Sequence, residues 1–121
     1  MEKHYDISRL LDFYGDMLSD RQRLAANLYY NDDLSLSEVA EELGISRQGV
    51  RASLSKSEEQ LHKYEDTLGL AARFDRATER FRQLREYANT AMEQSEKDGN
   101  EQLWQFAKDI AAMILKIEND I

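Results

Sequence analysis

The sequence predicts an all-α fold on three observations. The chain of 121 residues contains no proline, the residue that most often interrupts a helix. Ala, Leu, Glu, Gln, Arg and Lys, which all favour helix, are abundant. Apolar residues recur at spacings of three and four, the period of a helix with one buried face, and no segment shows the alternation typical of a strand. We therefore expect helices joined by short turns.

The amino-terminal residues predict two helices. The first is expected over residues 6–18, where apolar side chains form one stripe: Ile7, Leu10, Leu11, Tyr14, Met17 and Leu18. The following "SDRQ" has the pattern of a capping box, in which the Ser19 hydroxyl accepts a backbone amide hydrogen and Gln22 reaches back. The second helix is expected to run from there to about Tyr30.

The next segment predicts a helix-turn-helix. "SLSE" at residues 35–38 is a second capping box, and it starts a short helix. Gly44 follows that helix, where a positive φ costs glycine little, and Ser46 can cap a fourth helix over 47–68. The positions where the two helices must cross are apolar: Val39, Ala40, Leu43, Val50 and Leu54. We therefore expect a tri-helical helix-turn-helix domain over residues 1–69.

Beyond Gly69, two heptad stripes predict a long helix and a carboxyl-terminal helical hairpin over residues 70–121. The first stripe is Leu70, Phe74, Ala77, Phe81, Leu84, Ala88 and Ala91. The second, after a turn at 97–100, is Leu103, Ala107, Ile110, Ile114, Ile117 and Ile121. Three aromatic residues are expected to be core rather than cofactor contacts: Tyr87, Trp104 and Phe106. The stripes can pair with each other, with the amino-terminal helices or with a second copy, and we expect a homodimer through them.

The fourth helix carries residue types that read DNA on the side opposite its buried positions. Arginine can fork onto guanine and glutamine onto adenine, while a serine and the free amides at a helix start suit a phosphate. From Leu43 to Ser57 there are three basic residues and no acidic one. The predicted contacts with double-stranded DNA are Ser46, Arg47, Gln48, Arg51, Ser55 and Lys56.

The net charge of −8 supports a second interpretation. Strong non-specific binding to nucleic acid depends on neutralised phosphates, which an acidic chain supplies poorly. The chain would then be an acidic protein-interaction module that keeps the helix-turn-helix fold and binds a basic partner. Both hypotheses stay open at this point.

Other function classes find little support in the sequence. There is no cysteine, and the two histidines, His4 and His62, lack the spacing of metal ligands, so we expect no metal or other cofactor. No nucleophile motif or glycine-rich phosphate loop is present, which argues against an enzyme. The chain has no apolar run of the ~20 residues that span a bilayer and no export-signal pattern at its start. We expect a cytoplasmic protein.

Residues 18–70 resemble the YlxM-like helix-turn-helix proteins of Gram-positive bacteria and mollicutes. The elements that carry the resemblance are "DRQR", "LYYNDDLSLSEVAEE", "ISRQGV" and "YEDTLGL". The chain is similar, more loosely, to region 4 of bacterial sigma factors, which implies a sigma-region-4-like or winged-helix-like domain. The family resemblance implies a small cytoplasmic DNA-binding regulatory protein, linked by gene neighbourhood to the signal recognition particle pathway. Under the second interpretation, that of an acidic adaptor, the resemblance also implies that the basic partner is a component of the signal recognition particle.

The sequence departs from the family pattern within the fourth helix. Gly49 lies inside that helix, where it costs about 1 kcal/mol relative to alanine. Ala52 and Ser55 stand where more polar or more basic residues are expected. These three positions weaken the expectation of DNA binding.

Overall fold

The computed structural model describes residues 5–120 and is built of α-helices, as the sequence predicts. His4 and Ile121, named above, lie outside this range. The described residues form no strand, and their α-helices are α1 (Tyr5–Tyr14), α2 (Asp20–Ala26), α3 (Leu36–Leu43), α4 (Arg47–Leu68), α5 (Leu70–Lys97) and α6 (Glu101–Asp120). The chain divides into two compact units, the first ending at Ala71 and the second beginning at Ala72.

In the first unit, α1 to α4 pack around one apolar core. Val39 of α3 and Val50 and Leu54 of α4 are each 0% exposed, so the two helices cross where the sequence is apolar. Apolar and aromatic side chains of α1, α2 and the segment that follows α2 contribute to the same core: Ile7, Leu10, Leu11, Tyr14, Ala25, Ala26, Tyr29 and Tyr30. This packing fixes α4 against α3 and leaves the opposite side of α4 in solvent.

Local capping chemistry sets the helix boundaries in this unit. Both capping boxes form, with Ser19 and Ser35 each accepting the amide hydrogen of the residue three positions on. Gly44 ends α3 with φ 67° and ψ 34°, in the left-handed region that glycine adopts most easily. The predicted helix-turn-helix is therefore confirmed.

The ends of α1 and α2 differ from the prediction. The chain leaves the α-helix after Tyr14 in a 3-10 turn over Gly15–Met17, which turns Met17 outward so that it is 51% exposed rather than part of the buried stripe. A π turn over Asn27–Asn31 extends α2. Its wider winding accommodates two consecutive buried tyrosines, Tyr29 and Tyr30, whose rings meet edge to face with centroids 5.0 Å apart.

The junction between α4 and α5 is held by a buried hydrogen-bond network. Gly69 ends α4 in the left-handed conformation with φ 63°, which confirms the predicted break. The Tyr14 hydroxyl donates to the Glu65 carboxylate and accepts the amide hydrogen of Leu70 at 3.0 Å. The same carboxylate accepts the amide hydrogen of Ala71 at 3.0 Å. The first two amides of α5 are therefore satisfied by side chains of α1 and α4.

In the second unit, α5 and α6 form the predicted hairpin. Gly99 makes the turn with φ 67°, and the Asn100 side chain accepts the amide hydrogen of Leu103 at 3.1 Å to start α6. An ion pair between Arg85 and Glu118 joins the two helices. The antiparallel pair therefore brings the carboxyl-terminal part of α6 beside the middle of α5.

The hairpin buries only part of the predicted seams. Ala88, Ala107 and Ile114 of the seams are buried, together with Ser95, whereas other seam residues are 43–53% exposed: Leu84, Leu103, Ile110 and Ile117. Tyr87 is 72% exposed and Phe106 is 53% exposed, so the expectation that both are core is wrong; Trp104 is half-buried. The reason is geometric: one neighbouring helix covers only a narrow stripe, and the apolar surface of α6 is wider than that stripe.

Candidate nucleic-acid interface

The front of α4 presents five of the six predicted contact residues to solvent along the helix itself. Arg47, Gln48, Arg51, Ser55 and Lys56 are all exposed. At about 100° per residue, Gln48, Arg51 and Ser55 fall within an arc of roughly 60°, and Arg47 lies about 40° outside this arc. Lys56 lies about 100° beyond Ser55, so it does not lie on the same side of α4. The structure thus brings four of these side chains together and sets Lys56 apart.

Ser46, the sixth predicted residue, caps α4. Its hydroxyl accepts the amide hydrogen of Gly49 at 2.9 Å, so its oxygen is engaged within the helix start. A Cβ added at Gly49 would lie 3.2 Å from that same oxygen, which is tighter than an ordinary contact. Gly49 therefore leaves room for the cap, a reason for glycine here that the helix propensity scale does not contain.

Two acidic side chains near the front of α4 accept hydrogen bonds. Glu58 accepts a hydrogen bond from the buried Tyr30 hydroxyl, and Glu38 accepts the amide hydrogen of Ser35 at 3.0 Å in its capping box. Burial raises the pKa of Tyr30 above its ordinary value of 10.0, and the bond to Glu58 raises this pKa further, so the phenol remains a neutral donor. Sequence reasoning missed the Tyr30–Glu58 pair, because residues 28 positions apart carry no local signal.

The charge around the front of α4 is mixed. Within residues 5–120, no salt bridge reaches Arg47, Arg51 or Lys56, so all three cations remain available. Arg47 also borders a shallow depression of about 430 Å³ whose wall includes Asp33 and Glu38. These carboxylates lower the positive potential at the amino-terminal edge of the surface, whereas Arg51 lies farther along the helix.

Two other kinds of feature are absent from the described part of the chain. It holds no group of three or more His, Cys, Asp or Glu side chains arranged to bind a metal ion. None of its helices combines the length and the apolar character needed to cross a bilayer. The exposed side of α4 is thus the surface on which the predicted functional residues concentrate.

The chain is similar in sequence to known proteins over most of its length. A family model described as "Putative helix-turn-helix protein, YlxM / p13 like" matches residues 1–101. The chain is 38% identical to the UPF0122 protein YlxM of Bacillus subtilis over 96 residues, which cover 79% of this chain and 87% of the relative. It is 41% identical to the UPF0122 protein BH2485 of Halalkalibacterium halodurans over 86 residues, which cover 71% of this chain and 79% of the relative. The UPF0122 protein of Lacticaseibacillus casei is 40% identical over 90 residues, or 74% of this chain and 80% of the relative.

Proposed function

Because the chain belongs to the YlxM / p13-like helix-turn-helix family, we propose that it is a cytoplasmic regulatory protein that binds double-stranded DNA through the front of α4. Its activity is binding rather than catalysis. Arg51, Gln48 and Ser55 enter the major groove, Arg47 contacts a base or phosphate at the edge, and the capped start of α4 approaches the backbone. Lys56 contributes a phosphate contact at the far side.

One observation carries this proposal: Arg47 and Arg51 are exposed on the front of α4 and form no salt bridge within residues 5–120, while two nearby carboxylates accept hydrogen bonds. Glu58 is held by Tyr30, and Glu38 is held at the start of α3. A helix anchored by Val50 and Leu54 presents its amino-terminal half to a groove without further rearrangement. Two such surfaces in a homodimer would read two half-sites.

The test is titration of fluorescently labelled duplexes at two salt concentrations. We expect Arg47→Gln together with Arg51→Gln to weaken binding by roughly 10-fold or more and to reduce the salt slope by about 1 to 2, as expected for two lost contacts. The matched control is Arg21→Gln together with Arg76→Gln, which removes the same charge from exposed positions on α2 and α5. Equal affinity and slope for the two double variants would refute DNA reading by α4.

A second candidate function follows from the charge of −8. In that function the chain is an acidic adaptor that binds a basic component of the signal recognition particle and contacts no DNA. Its binding to purified particle would survive the loss of Arg47 and Arg51 and would weaken as salt rises. The same two double variants therefore separate the two candidate functions. Only a protein that binds DNA through α4 should bind differently after the Arg47 and Arg51 substitutions than after the control substitutions.

A further inference from the structure

The outer surface of α6 carries an apolar stripe beside the one that packs in the hairpin. The packed stripe contains Ala107 and Ile114, and it continues to Glu118, which pairs with Arg85 of α5. The second stripe has heptad steps of three and four residues, and its side chains are between 43% and 64% exposed: Leu103, Phe106, Ile110, Met113 and Ile117. It lies roughly 100° around the helix from the packed stripe.

Helix α5 adds to the same face of the hairpin. Leu84 is 45% exposed and Tyr87 is 72% exposed, and they lie about 70° and about 130° around α5 from the line midway between Arg85 and Ala88. When each helix is viewed from its own amino terminus, its exposed apolar stripe is displaced from its packed stripe in the same rotational direction. Because α5 and α6 run antiparallel, this displacement places the two exposed stripes on the same side of the hairpin. The two helices therefore share a continuous apolar face, which we call the outer face: Leu84, Tyr87, Leu103, Phe106, Ile110, Met113 and Ile117.

The outer face is larger than a soluble monomer usually leaves exposed. Side chains of this size have roughly 150–250 Å² of surface each, so seven of them at the observed exposures present on the order of 700–800 Å². The largest apolar patch on a typical monomer is about 300–600 Å². A standard protein interface buries about 800 Å² on each partner. The outer face thus has the area of one side of a stable interface.

The opposite side of the hairpin is mostly polar, with Leu115 as an exposed apolar residue on α6. On α5 it carries Glu79, Arg82 and Glu86, where the arginine pairs with both carboxylates at 2.5 Å. On α6 it carries Glu101 and Lys108, both exposed. A hairpin with a continuous apolar surface on one side and mostly charged residues on the other needs a second layer on its apolar side.

We propose that a second copy of this chain covers the outer face, so that two hairpins form a four-helix bundle. The inference rests on the homodimer of the proposed function and assigns its contact surface. A chain with 24 acidic residues repels its own copy wherever carboxylates meet, and none of the seven outer-face positions is charged. The heptad spacing on α6 fits helix-to-helix packing, and two-fold pairing of the same surface closes the assembly.

The experiment measures the mass of the full chain by light scattering over a range of concentrations, without DNA. Ile110→Gln together with Met113→Gln is expected to raise the dimer dissociation constant at least about 10-fold, since apolar area is lost in both copies. The matched control is Leu115→Gln, because Leu115 is 56% exposed on the same helix but lies off the outer face. Circular dichroism confirms that each variant remains helical. Leu84→Gln on α5 gives an independent second variant.

A thiol-protection measurement distinguishes the face directly. The chain has no cysteine, so Met113→Cys introduces a single reactive thiol. Its labelling should slow as protein concentration rises, whereas the thiol of Leu115→Cys should react at a constant rate. Monomer mass at every concentration, or equal effects at Met113 and Leu115, would overturn the proposal. Arg47 and Arg51 are absent from the outer face, so their variants should keep the wild-type dimer mass. A failure of DNA binding can therefore be distinguished from a failure of dimer formation.

Discussion

Replacing Gly44 with alanine is expected to destabilise the first unit by about 1 kcal/mol through the backbone alone. Gly44 has φ 67° and ψ 34°, and a Cβ built there meets nothing within 4 Å, so no contact with the rest of the chain adds to the cost. The left-handed conformation costs a residue with a Cβ about 1–2 kcal/mol. Alanine also lowers the conformational entropy of the unfolded chain, which stabilises the folded state by roughly 0.4–1 kcal/mol. The difference corresponds to a melting temperature lower by about 4–8 °C for a unit of this size.

The assay is thermal and urea unfolding followed by circular dichroism. Gly44→Asn is the control, because asparagine enters the left-handed region more easily and should keep most of the wild-type stability. Gly99→Ala has the same φ of 67° in the hairpin turn and should cost a similar amount there. Duplex affinity should not change at temperatures where the protein is folded. If Gly44→Ala is as stable as Gly44→Asn, the positive φ does not hold the turn, and the reasoning is refuted.

Two further predictions concern the groups that support α3 and α4. Ser35→Ala removes the hydroxyl that accepts the Glu38 amide hydrogen at 3.1 Å and should cost about 1 kcal/mol in urea unfolding; an unchanged midpoint would show that the cap is not needed. The raised pKa of Tyr30 means that the folded phenol stays protonated where the unfolded one ionises, so its stability contribution is complete below pH 10.0 and is lost as pH rises through the folded value. Unfolding measured from about pH 9 to pH 11 should therefore show a shallower loss for Tyr30→Phe than for wild type, and identical slopes would contradict this assignment.

The boundaries of the helix-turn-helix could be predicted because their causes are local. The Ser35 capping box and the glycine at position 44 act within a few residues, so the sequence contains both the group and its partner. The exposed side of α4 followed from the burial of Val50 and Leu54, since a helix fixes which residues lie opposite a buried stripe. The same logic gave Arg47, Gln48 and Arg51 as a shared surface.

Features that depend on distant partners could not be predicted in this way. The heptad pattern of α6 is compatible with more than one buried stripe, and only the position of α5 decides that Ala107 and Ile114 are covered while Phe106 is not. The engagement of Glu58 by Tyr30 has the same character, because the π turn that orients Tyr30 has no simple sequence signature. The exposed positions on α4 were therefore accessible from sequence, whereas the hydrogen bonds of the neighbouring carboxylates were not.

The buried network at Tyr14 has a consequence for the order in which the chain acquires its structure. The first two backbone amides of α5 donate hydrogen bonds to Tyr14 of α1 and Glu65 of α4, which lie 56 and 6 residues earlier in the chain. The start of the longest helix is thus secured only after α1 has docked, because a long loop must close before those bonds form. We expect amide hydrogens at Leu70 and Ala71 to gain protection together with the core of α1 to α4 during refolding, and later than those in the middle of α4.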